Sequence, residues 1–75
     1  MNESEVIRLA LYRIREIREN KGMSQTELSR LAGVARATIW KLESGGDEVT
    51  TSKTLTKIAK ALDVSVAALF FDPEV

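Results

Sequence analysis

The sequence predicts an all-α fold of five short helices, and three observations carry the prediction. Apolar residues recur at i, i+3, i+4 and i+7 in several short blocks, the period of a one-sided helix. Gly, Ser, Thr and Asp fall between the blocks, where helices start and stop. No stretch reads as a strand.

Ile7, Ala10, Leu11, Ile14 and Ile17 define the stripe of a first helix, with Arg8, Arg15, Glu16 and Glu19 largely off it. Lys21-Gly22 ends this helix, since glycine takes the left-handed conformation that closes one. Ser24-Gln25-Thr26-Glu27 reads as a capping box, in which the Ser24 hydroxyl accepts from the Glu27 amide and the Glu27 carboxylate reaches back. The second helix then runs from about Gln25 to Ala32, with Leu28, Leu31 and Ala32 inward, until Gly33 breaks it. Val34-Ala35 makes a turn, and a third helix runs from about Arg36 to Ser44, stopped by Gly45-Gly46. After a polar loop, Thr51 caps a fourth helix from about Ser52 to Leu62, with Leu55, Ile58, Ala59 and Leu62 inward. Asp63-Val64 is a tight connection, and Ser65 caps a last short helix from Val66 to about Phe70.

Seventy-five residues correspond to one domain, expected over residues 1–75, and a chain of this size buries only about 60% of its unfolded surface. With 44% apolar residues, the core has to suffice, completed by a second copy if the chain dimerises. The chain has no cysteine, which excludes disulfides, thiolate metal sites and cysteine nucleophiles. It has no histidine, the commonest metal ligand and general base, so no metal, cofactor or catalytic residue is expected and an enzyme has the least support. The N-terminus lacks an apolar signal-peptide core, and no apolar run approaches the roughly 18 residues that span a bilayer. The cytoplasm is the expected compartment, with no membrane and no small-molecule ligand.

Two short helices joined by a glycine-containing turn make a helix-turn-helix unit, here about residues 24–45. Val34, Ile39 and Leu42 hold its second helix on the core. At about 100° per residue, Arg36, Ala37, Trp40, Lys41 and Ser44 face the other way. That outer face suits double-stranded DNA. Arg36 can bond guanine bidentately, Lys41 can reach a base edge or a phosphate, and Ala37 can touch a thymine methyl. Ser24 and Gln25, at the start of the preceding helix, suit a phosphate oxygen.

From about Leu11 to Phe70 the chain resembles the lambda-repressor-like helix-turn-helix family of phage repressors, Cro proteins and xenobiotic-response-element-type regulators. Four linked motifs carry the resemblance. They are Ile17-Arg18-Glu19-x-x-Gly22-Met23-Ser24-Gln25-x-Glu27-Leu28, then Ala32-Gly33-Val34, then Thr38-Ile39-x-x-Leu42-Glu43-x-Gly45, and last Leu55-x-x-Ile58-Ala59-x-Ala61-Leu62-x-Val64. The resemblance implies a compact five-helix DNA-binding domain. It implies that Gln25 bonds a phosphate and braces the first residue of the recognition helix, and that Arg36, Ala37 and Lys41 read bases. It also implies that Ser44 clamps a phosphate and that Arg18 and Glu43 form a structural ion pair. Thr38, Thr51 and Lys53 join Ser24, Gln25 and Ser44 as expected phosphate contacts.

The chain departs from that pattern in two places. Ala35 stands where Ser or Thr often caps the recognition helix, and Asp47 and Glu48 stand where many relatives are basic or neutral. Trp40 points outward and either packs against the loop near Thr50 or contacts DNA. Phe70 and Phe71 are adjacent and cannot both face one small core, so they are either a dimer contact or partly buried. Eleven Lys and Arg are cancelled by eleven Asp and Glu, which predicts few phosphate contacts and a shallow salt dependence. Arg36, Lys41 and Lys53 lie towards the expected DNA face, whereas Glu3, Glu5, Glu16, Glu19, Asp63, Asp72 and Glu74 lie in elements that need not touch it. The expected function is a sequence-specific transcriptional regulator, a repressor or autoregulator, bound as a homodimer to a pseudo-palindromic operator. The rival is a protein-interaction module, an antitoxin or adaptor that holds a protein partner on the same scaffold.

Overall fold

The computed structural model describes residues 13–44 and 51–70. Among these the chain forms α1 (13–20), α2 (Gln25–Ala32), α3 (Arg36–Glu43), α4 (Ser52–Ala61) and a 3-10 turn, Val66–Leu69, with no strand. Ile7, Ala10, Leu11, Gly45, Gly46, Asp47, Glu48, Thr50 and Phe71 carry expectations stated above and lie outside the described residues.

Every helix contributes to one core. Ile14, Leu28, Ile39, Leu42, Ile58 and Leu62 are fully buried, and Leu69 of the 3-10 turn is 1% exposed. Removing each such side chain from water is worth about 1.5–3 kcal/mol. Ile17, Ala32 and Ala59 complete the cluster, and Met23, Val34, Leu55, Ala61, Val64 and Phe70 pack around it half-buried. α2 packs against both α3 and α4, and the 3-10 turn packs on α4.

The same device closes three of the four helices. After α1, the Gly22 amide donates to Glu19 O (2.9 Å) and the Met23 amide to Arg18 O (3.1 Å), with Gly22 at φ +66°. This is a Schellman closure, which needs a left-handed residue at its second-last position. After α2, Gly33 at φ +67° plays that part, and the Val34 amide donates to Ser29 O. The Ser29 hydroxyl in turn donates to Val34 O at 2.6 Å, so one serine ties both polar groups of Val34 and stiffens the turn before α3. After α4 the left-handed residue is Asp63, at φ 58°, and the Val64 amide donates to Ala59 O.

Several expectations change in detail. Leu31 is 51% exposed rather than inward. On an eight-residue helix it sits about 60° to one side of Leu28, while Ala32 sits about 40° to the other, and the core lies on the Ala32 side. The expected fifth helix is a single 3-10 turn capped by Ser65, whose hydroxyl accepts from the Ala68 amide. α3 ends at Glu43, with Ser44 as its C-cap, and α4 ends at Ala61, with Leu62 as its C-cap. Of the expected capping box, the bond from the Glu27 amide to Ser24 Oγ forms at 3.0 Å. Arg13 on α1 donates through Nε to Ala68 O at 2.9 Å, which joins the first described helix to the last turn.

Candidate nucleic-acid interface

α3 owes its orientation to its own alternation of sides. Ile39 and Leu42 are fully buried and Glu43 is 4% exposed, while Arg36, Ala37, Trp40, Lys41 and Ser44 are all exposed on the remaining surface. Thr38 is half-buried between the two sets. The three expected base readers therefore share one open helix face. At its N-terminus Ala35 holds extended backbone (φ −58°, ψ 140°) with no side-chain cap, as the sequence predicts. The first-turn amides consequently lack the hydroxyl acceptor that a Ser or Thr would bring.

A buried ion pair fixes α3 against α1. Arg18 Nε donates to Glu43 Oε2 at 2.7 Å and Nη2 to Oε1 at 3.0 Å, a bidentate arrangement. Arg18 Nη1 also donates to Met23 O at 2.7 Å, so the guanidinium grips the turn between α1 and α2 as well. The hydrogen bond to Glu43 raises the Arg18 pKa above its already high ordinary value, with burial acting in the opposite direction. Gln25 completes the network: its Nε2 donates to Glu43 Oε1 at 3.1 Å. The brace expected from Gln25 to the first residue of α3 thus goes to the last residue of that helix instead.

This network forms the floor of a shallow depression of about 290 Å³ lined by Arg15, Arg18, Gln25, Trp40, Glu43 and Ser44. Two expected phosphate contacts, Gln25 and Ser44, are therefore brought together there with Trp40, whose role the sequence leaves open between packing and DNA contact. The Ser44 hydroxyl donates to Trp40 O at 2.7 Å and remains exposed. Trp40 is 59% exposed, so its indole keeps a large open surface beside the α3 face. Ser24 is exposed next to Gln25 at the start of α2. Thr51 and Lys53 are exposed on the first turn of α4, outside the depression, where Thr51 Oγ1 accepts from the Thr54 amide as the N-cap. Phe70 is half-buried against the core.

Sequence reasoning assigned Arg15 and Glu19 to ordinary surface. Arg15 lines the depression, and its Nε donates to Glu19 Oε1 at 2.7 Å across one helical turn. Their i, i+4 spacing was a visible signal of the pair, although nothing in α1 alone reveals that α3 lies beside it. That bond to Arg15 holds the Glu19 carboxyl below the usual carboxylate range.

A helix-turn-helix family matches residues 14–69, about three quarters of the chain. No curated protein gives a significant match. Among solved structures, the restriction-modification controller protein C.AhdI from Aeromonas hydrophila is 32% identical, covering 88% of this chain and 97% of that one, with a TM-score of 0.78. The N-terminal DNA-binding domain of SinR from Bacillus subtilis is 31% identical over 91% of this chain and 99% of that one, with a TM-score of 0.80. A chain of the SinR–SinI protein complex is 34% identical over 85% of this chain and 61% of that one, with a TM-score of 0.75. Among the described residues no helix is long and apolar enough to cross a membrane. With its core, its turn and the exposed face of α3 all in register, the chain belongs to the lambda-repressor-like helix-turn-helix family of DNA-binding transcription regulators.

Proposed function

We propose that the protein is a sequence-specific regulator, a repressor or autoregulator in the cytoplasm, that lays α3 in the major groove of double-stranded DNA. The carrying observation is the open face of α3, on which Arg36, Ala37 and Lys41 stand clear of the core that Ile39 and Leu42 fill. Arg36 and Lys41 bond base edges and Ala37 contacts a thymine methyl. Ser24, Gln25, Thr38, Ser44, Thr51 and Lys53 hold phosphates and so set the register of the helix. Three side chains are a small reading surface. Affinity and specificity then come from pairing two copies of the 1–75 domain, Phe70 and Phe71 contributing to the contact. The two recognition helices meet successive major grooves about 34 Å apart on a pseudo-palindrome. Selection of bound duplexes from a random pool tests this directly, because binding, palindromy and half-site spacing are read together. On the selected site Arg36→Ala is expected to cost about 1–3 kcal/mol and to relax discrimination at one base pair, whereas Gln25→Ala weakens all sequences alike.

The second reading is a module that holds a protein partner. The half-exposed Trp40 and Leu31 favour it, as does a similar chain in the SinR–SinI complex. Failure to bind any duplex pool at low salt, where phosphate attraction is strongest, selects this reading over the first.

A further inference from the structure

We propose that Arg15, on α1 outside the helix-turn-helix unit, and Trp40, on α3 within it, form a clamp for the DNA backbone, with a phosphate on the Arg15 guanidinium and the adjoining deoxyribose against the indole. The proposal rests on the DNA-binding reading above and adds to it a contact from α1.

Five observations support it. Arg15 and Trp40 line the same depression as Gln25 and Ser44, which that reading assigns to phosphates. The Arg18–Glu43 bond holds α1 to α3, and Arg15 and Trp40 each lie three residues before one of those partners, so both stand one turn along from a fixed point. The Arg15 side chain is 63% exposed and commits Nε to Glu19, which leaves its terminal amino groups without a partner among the described residues. An exposed i, i+4 pair is weak, so a phosphate can share or take over the guanidinium. Finally, the negative charge of Glu43 on the floor is met by three donors from Arg18 and Gln25, so it does not repel an incoming anion as an unpaired carboxylate would. Trp40, 59% exposed, offers the sugar an apolar face at that edge.

A phosphate contact has a signature that base reading lacks: it acts on every sequence and releases a counterion. The test measures binding of the full chain to its selected operator duplex and to a random-sequence duplex over a range of salt. Arg15→Met is expected to weaken both duplexes alike and to reduce the slope of log K against log salt by about 0.9, one phosphate's worth. Arg15→Lys is expected to restore most of that slope. Glu19→Gln, which releases Arg15, is expected to tighten binding to both duplexes, and Trp40→Leu to weaken both without changing the slope. Far-UV circular dichroism and the thermal midpoint check that each variant is folded. An unchanged slope and affinity in folded Arg15→Met overturns the clamp while leaving the α3 reading intact if Arg36→Ala still weakens the operator. A loss confined to the operator also overturns it, because Arg15 would then be reading a base. Wild-type protein that binds neither duplex at low salt removes the reading and the clamp together.

Discussion

Arg18→Met removes a cation while keeping most of its apolar stem, and the structure allows the cost to be worked out. The substitution abolishes two bonds to Glu43, of 2.7 and 3.0 Å, and one to Met23 O. Glu43 stays in place, 4% exposed, with Gln25 as its remaining donor. Stranding a buried charge in this way costs about 3–5 kcal/mol, far more than an exposed pair is worth. A chain of 75 residues has a total stability of about 4–11 kcal/mol at roughly 0.05–0.15 kcal/mol per residue, so the variant is expected to be marginal. Urea unfolding followed by far-UV circular dichroism reads the loss. With a slope of about 1 kcal/mol/M, the midpoint is expected to fall by about 3 M or to vanish. The double variant Arg18→Met/Glu43→Leu removes the stranded charge as well. It is expected to recover most of the loss, with a coupling of about 2–3 kcal/mol between the two sites. A single substitution costing under about 1 kcal/mol, or a cycle in which the two effects simply add, would refute the reasoning.

Three further outcomes are expected. Ala35→Ser supplies the missing N-cap in backbone already extended for it and is expected to stabilise the protein by about 1 kcal/mol, read as a rise in urea midpoint. Leu31→Gln, at a side chain half in water, is expected to change stability by no more than about 0.5 kcal/mol, whereas the same change at Leu28 would be severe. Glu19 titrates below the usual carboxylate range because Arg15 bonds its charged form. Its small stabilising effect is therefore present above that range and lost as pH falls through the folded value. An NMR titration is expected to show the Glu19 carboxyl returning to the ordinary range in Arg15→Met.

Much of this fold was legible because its punctuation is local chemistry. Ser24, Thr51 and Ser65 each accept from the amide three residues on, and Gly22 and Gly33 each take the left-handed turn that Cβ-bearing residues resist. The open and buried sides of α3 also followed from period alone, since both Ile39 and Leu42 are needed to hold so short a helix. Leu31 was not legible, because a helical wheel marks an apolar arc but not which edge of that arc a neighbour covers. Nor was the partner of Gln25: a polar side chain at the start of α2 has several carboxylates within reach in principle, and only tertiary packing brings Glu43 to it. Arg13 and Arg15 show the same limit. Arg15 reads as a solvated cation and the sequence leaves the place of Arg13 open, yet Arg13 reaches Ala68 O, 55 residues away, and Arg15 lines a depression shared with α3.

The bond from Arg13 to Ala68 O has a consequence for how the chain folds as it is made. It joins parts of the chain that leave the ribosome far apart in time, and Leu69, beside its acceptor, fills part of the same core as Ile14. A nascent chain that has emerged only as far as Asp63 holds α1, the two helices of the helix-turn-helix unit and α4 with one wall of their core open. Domains fold as units during synthesis, so completion of this one waits for nearly the whole of the described chain. The last wall of the core closes only when Leu69, a residue well beyond the DNA-reading segment, has arrived.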